Sequence, residues 1–243
     1  MNTKHTRLSV RRFQAGFSLV ELSMVLIVIA VIAGAVAVGA DVQRNASYQR
    51  MGSSFVRGWQ LAYLSHKTKS GVVVGDSQTS PTGFVKQNTT GADNNESCDV
   101  PLRTAMLAAG VDIPQGRTQG KESAYAYLDS NGNPQELQVC FRAIPWLTET
   151  TSGTWVDQVR NVMVIKQATP DVARLIDSLV DTARDARFGK VRQYPSLGSI
   201  AGTAPANYGM DNTCVQGGGP GGCGTALDEA QVATMTLYYV MDN

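Results

Sequence analysis

The sequence predicts an α+β protein: one long N-terminal helix, apolar over its first half, followed by a head built on a small antiparallel β-sheet. Three observations predict it. From Leu22 to Ala40 no charged residue occurs, a run that as a helix would extend roughly 28 Å and could cross a bilayer core. Beyond it, Tyr48, Met51, Phe55, Trp59, Ala62 and Tyr63 recur at steps of three and four, the stripe of an amphipathic helix with a core-packing face. Further on, short β-prone runs alternate with turn residues.

No proline interrupts the chain before Pro81, so a single helix is expected from Phe17 to about Lys67, with residues 17–40 in the membrane and 41–68 laid against the head. Gly34, Gly39, Gly52 and Gly58 lower its propensity by roughly 1 kcal/mol each relative to alanine. They either bend the helix or let neighbours approach, and the sequence leaves both open. The leader before Gly16 carries Lys4, Arg7, Arg11 and Arg12 and no acid. By the positive-inside tendency it is cytoplasmic and residues after Ala40 lie outside.

The head is expected over residues 69–243. Its first part, 70–120, is rich in Gly, Ser, Thr and Asn and reads as a long surface loop holding a short helix, Pro101 to Gly110, with proline near its start and glycine at its end. Asn88 and Asn95 each open a glycosylation sequon. A hairpin follows: Ala124–Leu128 and Glu136–Phe141 flank Asp129-Ser130-Asn131-Gly132-Asn133-Pro134, with an Asn-Gly turn at its centre. That loop lacks the glycine and terminal glutamate of an EF-hand, so turn chemistry and not calcium accounts for it. A third strand is expected at Val162–Ile165. Thr169-Pro170-Asp171 then starts a helix that runs to Gly189, with Val172, Leu175, Ile176, Leu179 and Ala183 on one face and Arg174, Asp177, Asp181 and Arg184 solvated on the other. A last strand, Ala233–Met241, alternates two faces.

The chain has 243 residues, 43% hydrophobic and 17% charged, with a net charge of +1. Without the leader's four basic residues, the 21 basic and 20 acidic side chains become an acidic excess of three, which argues against a general polyanion-binding surface. Cys98, Cys140, Cys214 and Cys223 all fall on the outer side, where an even number favours two disulfides. Of the three possible pairings the reading adopted is Cys98–Cys140 and Cys214–Cys223, the latter closing the glycine-rich loop 214–223. Neither pair has C-x2-C spacing and the only histidines are His5 and His66, so no zinc site and no cofactor are expected. No G-x-S-x-G surrounds a serine, and QGGGPGGCG lacks the Lys-Ser/Thr of a phosphate-binding loop. An enzyme is not expected.

The string Gly16-Phe17-Ser18-Leu19-Val20-Glu21, with basic residues before it and apolar residues after it, resembles the prepilin motif of type IV pilins and type II secretion pseudopilins. The resemblance implies cleavage between Gly16 and Phe17 by a prepilin peptidase, methylation of the new Phe17 amine, and pairing of Glu21 with a subunit's N-terminal amine in a filament. It further implies a type IV pilin-like fold and, as partners, other pilin subunits and an inner-membrane assembly platform. The head would sit in the periplasm before assembly and on a pilus or periplasmic pseudopilus afterwards. LIDSLVDTARDARFGKVR partly resembles a LIDxxxDDG…GxVR stretch of some pilin-like proteins, without the DG step. The loop 70–120 corresponds to the surface-variable loop of pilins and 214–223 to a small D-region. The large head points to a minor or specialised subunit; secretion pseudopilins, adhesins and DNA-uptake pilins are the alternatives within the resemblance. Three rival readings exist. A signal peptide cut after Ala40 would need an overlong apolar core containing an acid. A twin-arginine signal at Arg11-Arg12-Phe13 has ill-fitting flanks, and a plain anchor explains neither Gly16 nor Glu21.

Overall fold

The computed structural model describes residues 17–92, 95–181, 185–197, 208 and 234–241. The architecture is α+β. Contacts divide the chain into two units, 1–43 and 44–243. Helix α1 (Leu19–Arg50) begins in the first and ends in the second, and a π-helical turn (Met51–Val56) and α2 (Arg57–Ser70) follow without a break. Gly71, at φ +77°, stops α2 and donates its N–H to the Lys67 carbonyl, the αL cap that glycine adopts without strain.

In the second unit the aromatic stripe packs on a five-stranded antiparallel sheet of order β1-β2-β3-β5-β4. The strands are β1 (Ala124–Leu128), β2 (Pro134–Thr151), β3 (Thr154–Ala168), β4 (Val191–Arg192) and β5 (Met235–Val240). Tyr63 stacks on Phe141 of β2 at 5.0 Å, Phe55 meets Tyr125 at 5.2 Å and Tyr48 meets Tyr127 edge-on at 5.9 Å. Ring pairs of this kind add about 0.5–1.5 kcal/mol each to area burial. Polar tips are used as well: the Tyr48 hydroxyl donates to the Leu128 carbonyl at 2.7 Å and Trp59 Nε1 to the Glu122 carbonyl at 3.3 Å. Met235, Leu237, Tyr239 and Met241 are the buried face of the C-terminal strand, as their alternation predicts.

The two helical glycines in the second unit are places of close approach. A Cβ on Gly52 would stand 2.5 Å from Leu179 Cδ1, and one on Gly58 would stand 2.7 Å from Pro114 Cγ. Gly34 and Gly39 have nothing within 4 Å.

Several expectations are corrected. The hairpin at Asn131-Gly132 is present, but β2 runs on to Thr151 and β3 starts at Thr154, so a second, longer hairpin turns at Ser152-Gly153, with Gly153 at φ +80°. Pro145 lies inside β2; Gly91 presses on it, as a proline without an N–H allows at a strand's free edge. The segment 70–98 is no free loop: Val73, Val74, Val85, Asn88 and Ser97 are buried, and Ser97 bridges to Phe141. Asn88 spends its amide on the Ala143 carbonyl and the Gly91 amide, so its sequon is a buried structural turn. The short helix α3 covers Asp99–Ala108, two residues earlier at each end than expected.

Helix α4 covers only Pro170–Val180. It ends at Asp181, whose backbone is extended (φ −118°, ψ 156°) and whose carboxylate accepts the amides of Lys190 and Val191. Asp177, expected on the solvated face, is fully buried, whereas Leu179, expected in the core, is 45% exposed. Thr169 holds the N-cap position with Pro170 after it, but its hydroxyl makes no cap bond; its amide donates to the Tyr127 hydroxyl instead.

Candidate processing and assembly site

The helix that follows the predicted cleavage point begins at a reciprocal cap. The Ser18 amide donates to Glu21 Oε2 at 3.1 Å, and the Glu21 amide donates to Ser18 Oγ at 3.2 Å. This is a capping box, in which two of the orphan donors of the first turn are satisfied. The carboxylate also lies at the positive end of the helix dipole. Ser18-x-x-Glu21 ahead of an apolar run is the sequence signature of this cap, and reading Glu21 only as a charge in need of a cation missed it. Ser23 Oγ turns back to the Val20 carbonyl at 2.8 Å.

Phe17, the residue that would become the new N-terminus, is 88% exposed. Gly16 and the leader lie outside the described residues. From Leu19 to Val36 the helix is long and apolar enough to cross a membrane, and none of that window is buried within the chain. The apolar side chains of this stretch are exposed, and nothing lies within 4 Å of where a Cβ on Gly34 or Gly39 would stand, which leaves room for another helix.

In the head, Cys98 and Cys140 form a disulfide, with Cα atoms 4.5 Å apart. It ties the start of α3 to the middle of β2. Cys214 and Cys223 lie outside the described residues, as does the loop between them. One candidate ligand atom each of Glu96, Cys98 and Cys140 lies within 4.8 Å of the others, but the disulfide consumes both sulfurs, and Glu96 is paired with Arg142 at 3.4 Å and with Lys166. The acid of the Asn-Gly hairpin is equally occupied. Asp129 accepts the amides of Asn131 at 2.9 Å and Asn133 at 2.8 Å and the Gln135 side chain at 3.0 Å, which is turn chemistry.

Sequence reasoning also missed the role of Arg192. This buried guanidinium lies 4.2 Å from the Trp146 ring centroid and donates to the carbonyls of Leu147 and Gly189, both at 2.7 Å. With the Leu147 amide donating to the Pro195 carbonyl at 2.6 Å, it fastens the segment after β4 to the far end of β2. Burial holds this guanidinium below its ordinary range, down to about 10, with Asp181 and Asp185 acting against that shift.

Residues 11–37 match the prokaryotic N-terminal methylation motif. No curated protein and no solved structure matches the chain. Exposed Phe17, capped Glu21 and the exposed apolar helix from Leu19 to Val36 all fall within that matched stretch. The chain carries, at its N-terminus, the signature of type IV pilins and pseudopilins.

Proposed function

We propose that this protein is a structural subunit, minor or specialised, of a type IV pilus-like filament. A prepilin peptidase cuts after Gly16, the Phe17 amine is methylated, and an inner-membrane assembly platform passes the subunit into the filament. There the helix from Leu19 packs against the same helix of other pilin subunits. The head is carried in the periplasm before assembly and on the cell surface after it. It performs no catalysis and needs no cofactor; it is the substrate of the peptidase.

The observation that carries this reading is the methylation motif at residues 11–37 lying over the apolar helical stretch Leu19–Val36, none of which is buried. An apolar helix of that area is stable only in lipid or against other helices. Glu21 supplies the register. In the uncut chain its carboxylate is occupied by the Ser18 amide, a neutral donor. Cleavage adds an ammonium one helical turn away, and a charge-assisted bond is roughly twice as strong as a neutral one.

Incorporation is the test. In cells that also make wild-type subunits, Glu21→Gln keeps a hydrogen-bonding cap but removes the charge, and it is expected to be cut normally yet to enter filaments at least tenfold less. Equal entry of the variant and wild type would refute the pairing.

A further inference from the structure

Charge is unevenly shared along this chain. From Val42 to Gly75 it has five Lys and Arg residues and no acid, whereas from Asp76 onward twelve basic residues stand against eighteen acidic ones. Two of the five helical cations are held by carbonyls, Arg44 by Ser130 and Lys69 by Gly110. Arg50, Arg57 and Lys67 take part in no ion pair among the described residues. Arg50 and Arg57 are exposed, set between the buried positions Tyr48, Met51, Phe55 and Trp59. At the rise of a helix they stand about 10 Å apart along its axis. Leu61 and Leu64, on the turns that follow, are exposed as well. In the head, the exposed acids among the described residues are Asp112, Glu149 and Asp157. Asp112 belongs to the stretch beside α2, where the Gly110 carbonyl takes Lys69 and Pro114 abuts Gly58. Glu149 and Asp157 stand near the tip of the β2–β3 hairpin. Each accepts one backbone amide, of Gly153 and Leu197 respectively, and neither is in an ion pair among the described residues. Asp157 lies in register with Leu147, so Glu149, two residues on, is its diagonal neighbour on the same face, about 7–8 Å away.

We infer that Arg50 and Arg57 of one subunit receive Glu149 and Asp157 at the hairpin tip of a second copy of this chain, with Leu61 and Leu64 beside the contact. The inference rests on the filament reading above and names a contact between copies beyond the apolar span. Two exposed cations and two exposed acids of comparable spacing, at separate places on one chain, make that chain complementary to itself. Because the two patches differ, the contact is heterologous and repeats without having to close. Exposed ion pairs add little affinity, whereas like charges brought together are costly. The apolar helix therefore holds the subunits together, and the charge pairs select the partner and its register. Nucleic acid fits the same cations less well: the acidic excess of the head repels a polyanion, and the two leucines beside Arg57 favour a protein surface.

The test is cross-linking of the full chain in its own cells. Ser54, between the two arginines, and Ser152, at the hairpin tip, are both exposed. A chain carrying Ser54→Cys and Ser152→Cys is expected to give a ladder of multimers with a short bis-maleimide, and either single variant none beyond a dimer. Adding Arg50→Glu and Arg57→Glu is expected to weaken the ladder at least about tenfold, and further adding Glu149→Lys and Asp157→Lys to restore it to within about twofold. Absence of the ladder, a ladder indifferent to the first reversal, or one that the second reversal fails to restore overturns the inference. So does binding of duplex DNA by the wild type that the arginine reversal abolishes, with no ladder in either chain. Should the fourfold variant be degraded, two chains made together decide instead. One carries the arginine reversal with Ser54→Cys, the other the acid reversal with Ser152→Cys; they are expected to cross-link with each other, and neither with a wild-type head or helix bearing the matching cysteine. The N-terminal peptide from the same cells separates the two readings. A chain cut at Phe17 that gives no ladder refutes this contact alone, whereas an uncut chain refutes the filament subunit and leaves the ladder to decide the contact.

Discussion

The Asn161 side chain of β3 accepts the buried Val85 amide at 2.9 Å and donates to the Gly83 carbonyl at 2.8 Å. One fully buried amide group thus pins the segment after α2 to the sheet. Asn161→Ala leaves the Val85 N–H buried without a partner, and each such loss costs about 1–3 kcal/mol. The variant is expected to be about 2–3 kcal/mol less stable by urea denaturation, with exchange protection of Val85 falling further than that of β2. Unchanged Val85 protection would show that the segment is held by other means.

Gly52 and Gly91 both forbid a side chain, but not equally. At Gly52 the obstacle is the tip of Leu179, half-exposed and free to turn away. At Gly91 it is the Pro145 ring nitrogen at 2.8 Å and the Ile144 carbonyl carbon at 2.9 Å, with φ at +69°. Gly91→Ala is expected to cost about 3 kcal/mol or more, through backbone strain and overpacking together. Gly52→Ala should cost about 1 kcal/mol or less, since alanine's better helix propensity offsets the displacement. Melting temperatures of the two variants decide the order.

Arg192 makes two carbonyl bonds in different directions while lying over Trp146. Lysine has no fork to do this and loses the planar contact. Arg192→Lys is expected to cost about 2–3 kcal/mol and to change the Trp146 fluorescence before global unfolding. Wild-type stability would mean that the clamp is incidental.

The long elements and the strand faces were legible because each rests on local periodicity. The aromatic stripe, the Asn-Gly hairpin, Thr169-Pro170 and the alternation from Met235 to Met241 carry their own signals. The misreadings have tertiary causes. Residues 142–161 of the long hairpin do not alternate cleanly, since Ala143, Ile144, Trp146 and Leu147 are buried by cover on both faces. Asp177 reads as a solvated acid on a helical wheel but is buried, with the amide of Asp185 on its Oδ2, a contact from beyond the helix. Asn161 and Arg192 show no motif, since their partners are backbone groups distant in sequence. The Ser18–Glu21 cap alone was written in the residues.

His66 gives the fold a pH dependence. Burial holds its imidazole below the ordinary range, with the Val72 carbonyl at 3.2 Å opposing. The folded pKa is depressed, so the stability contributed by this group is present above the unfolded value of about 6.5 and is lost as pH falls through the folded one. Between pH 7.5 and 5.5 the urea midpoint of the wild type is expected to fall relative to that of His66→Gln. The difference between the two proteins isolates His66, because every other titrating group is common to both. A constant difference would contradict the burial argument.

The central claim is that cleavage at Gly16–Phe17 creates the amine that Glu21 meets, and the mass of the mature N-terminal peptide tests it most directly. Chain purified from its own cells is predicted to begin at Phe17 and to carry one methyl group on that amine. A chain beginning at Asp41, as after signal-peptide removal, or one retaining Met1, as in a plain anchor, would contradict the account.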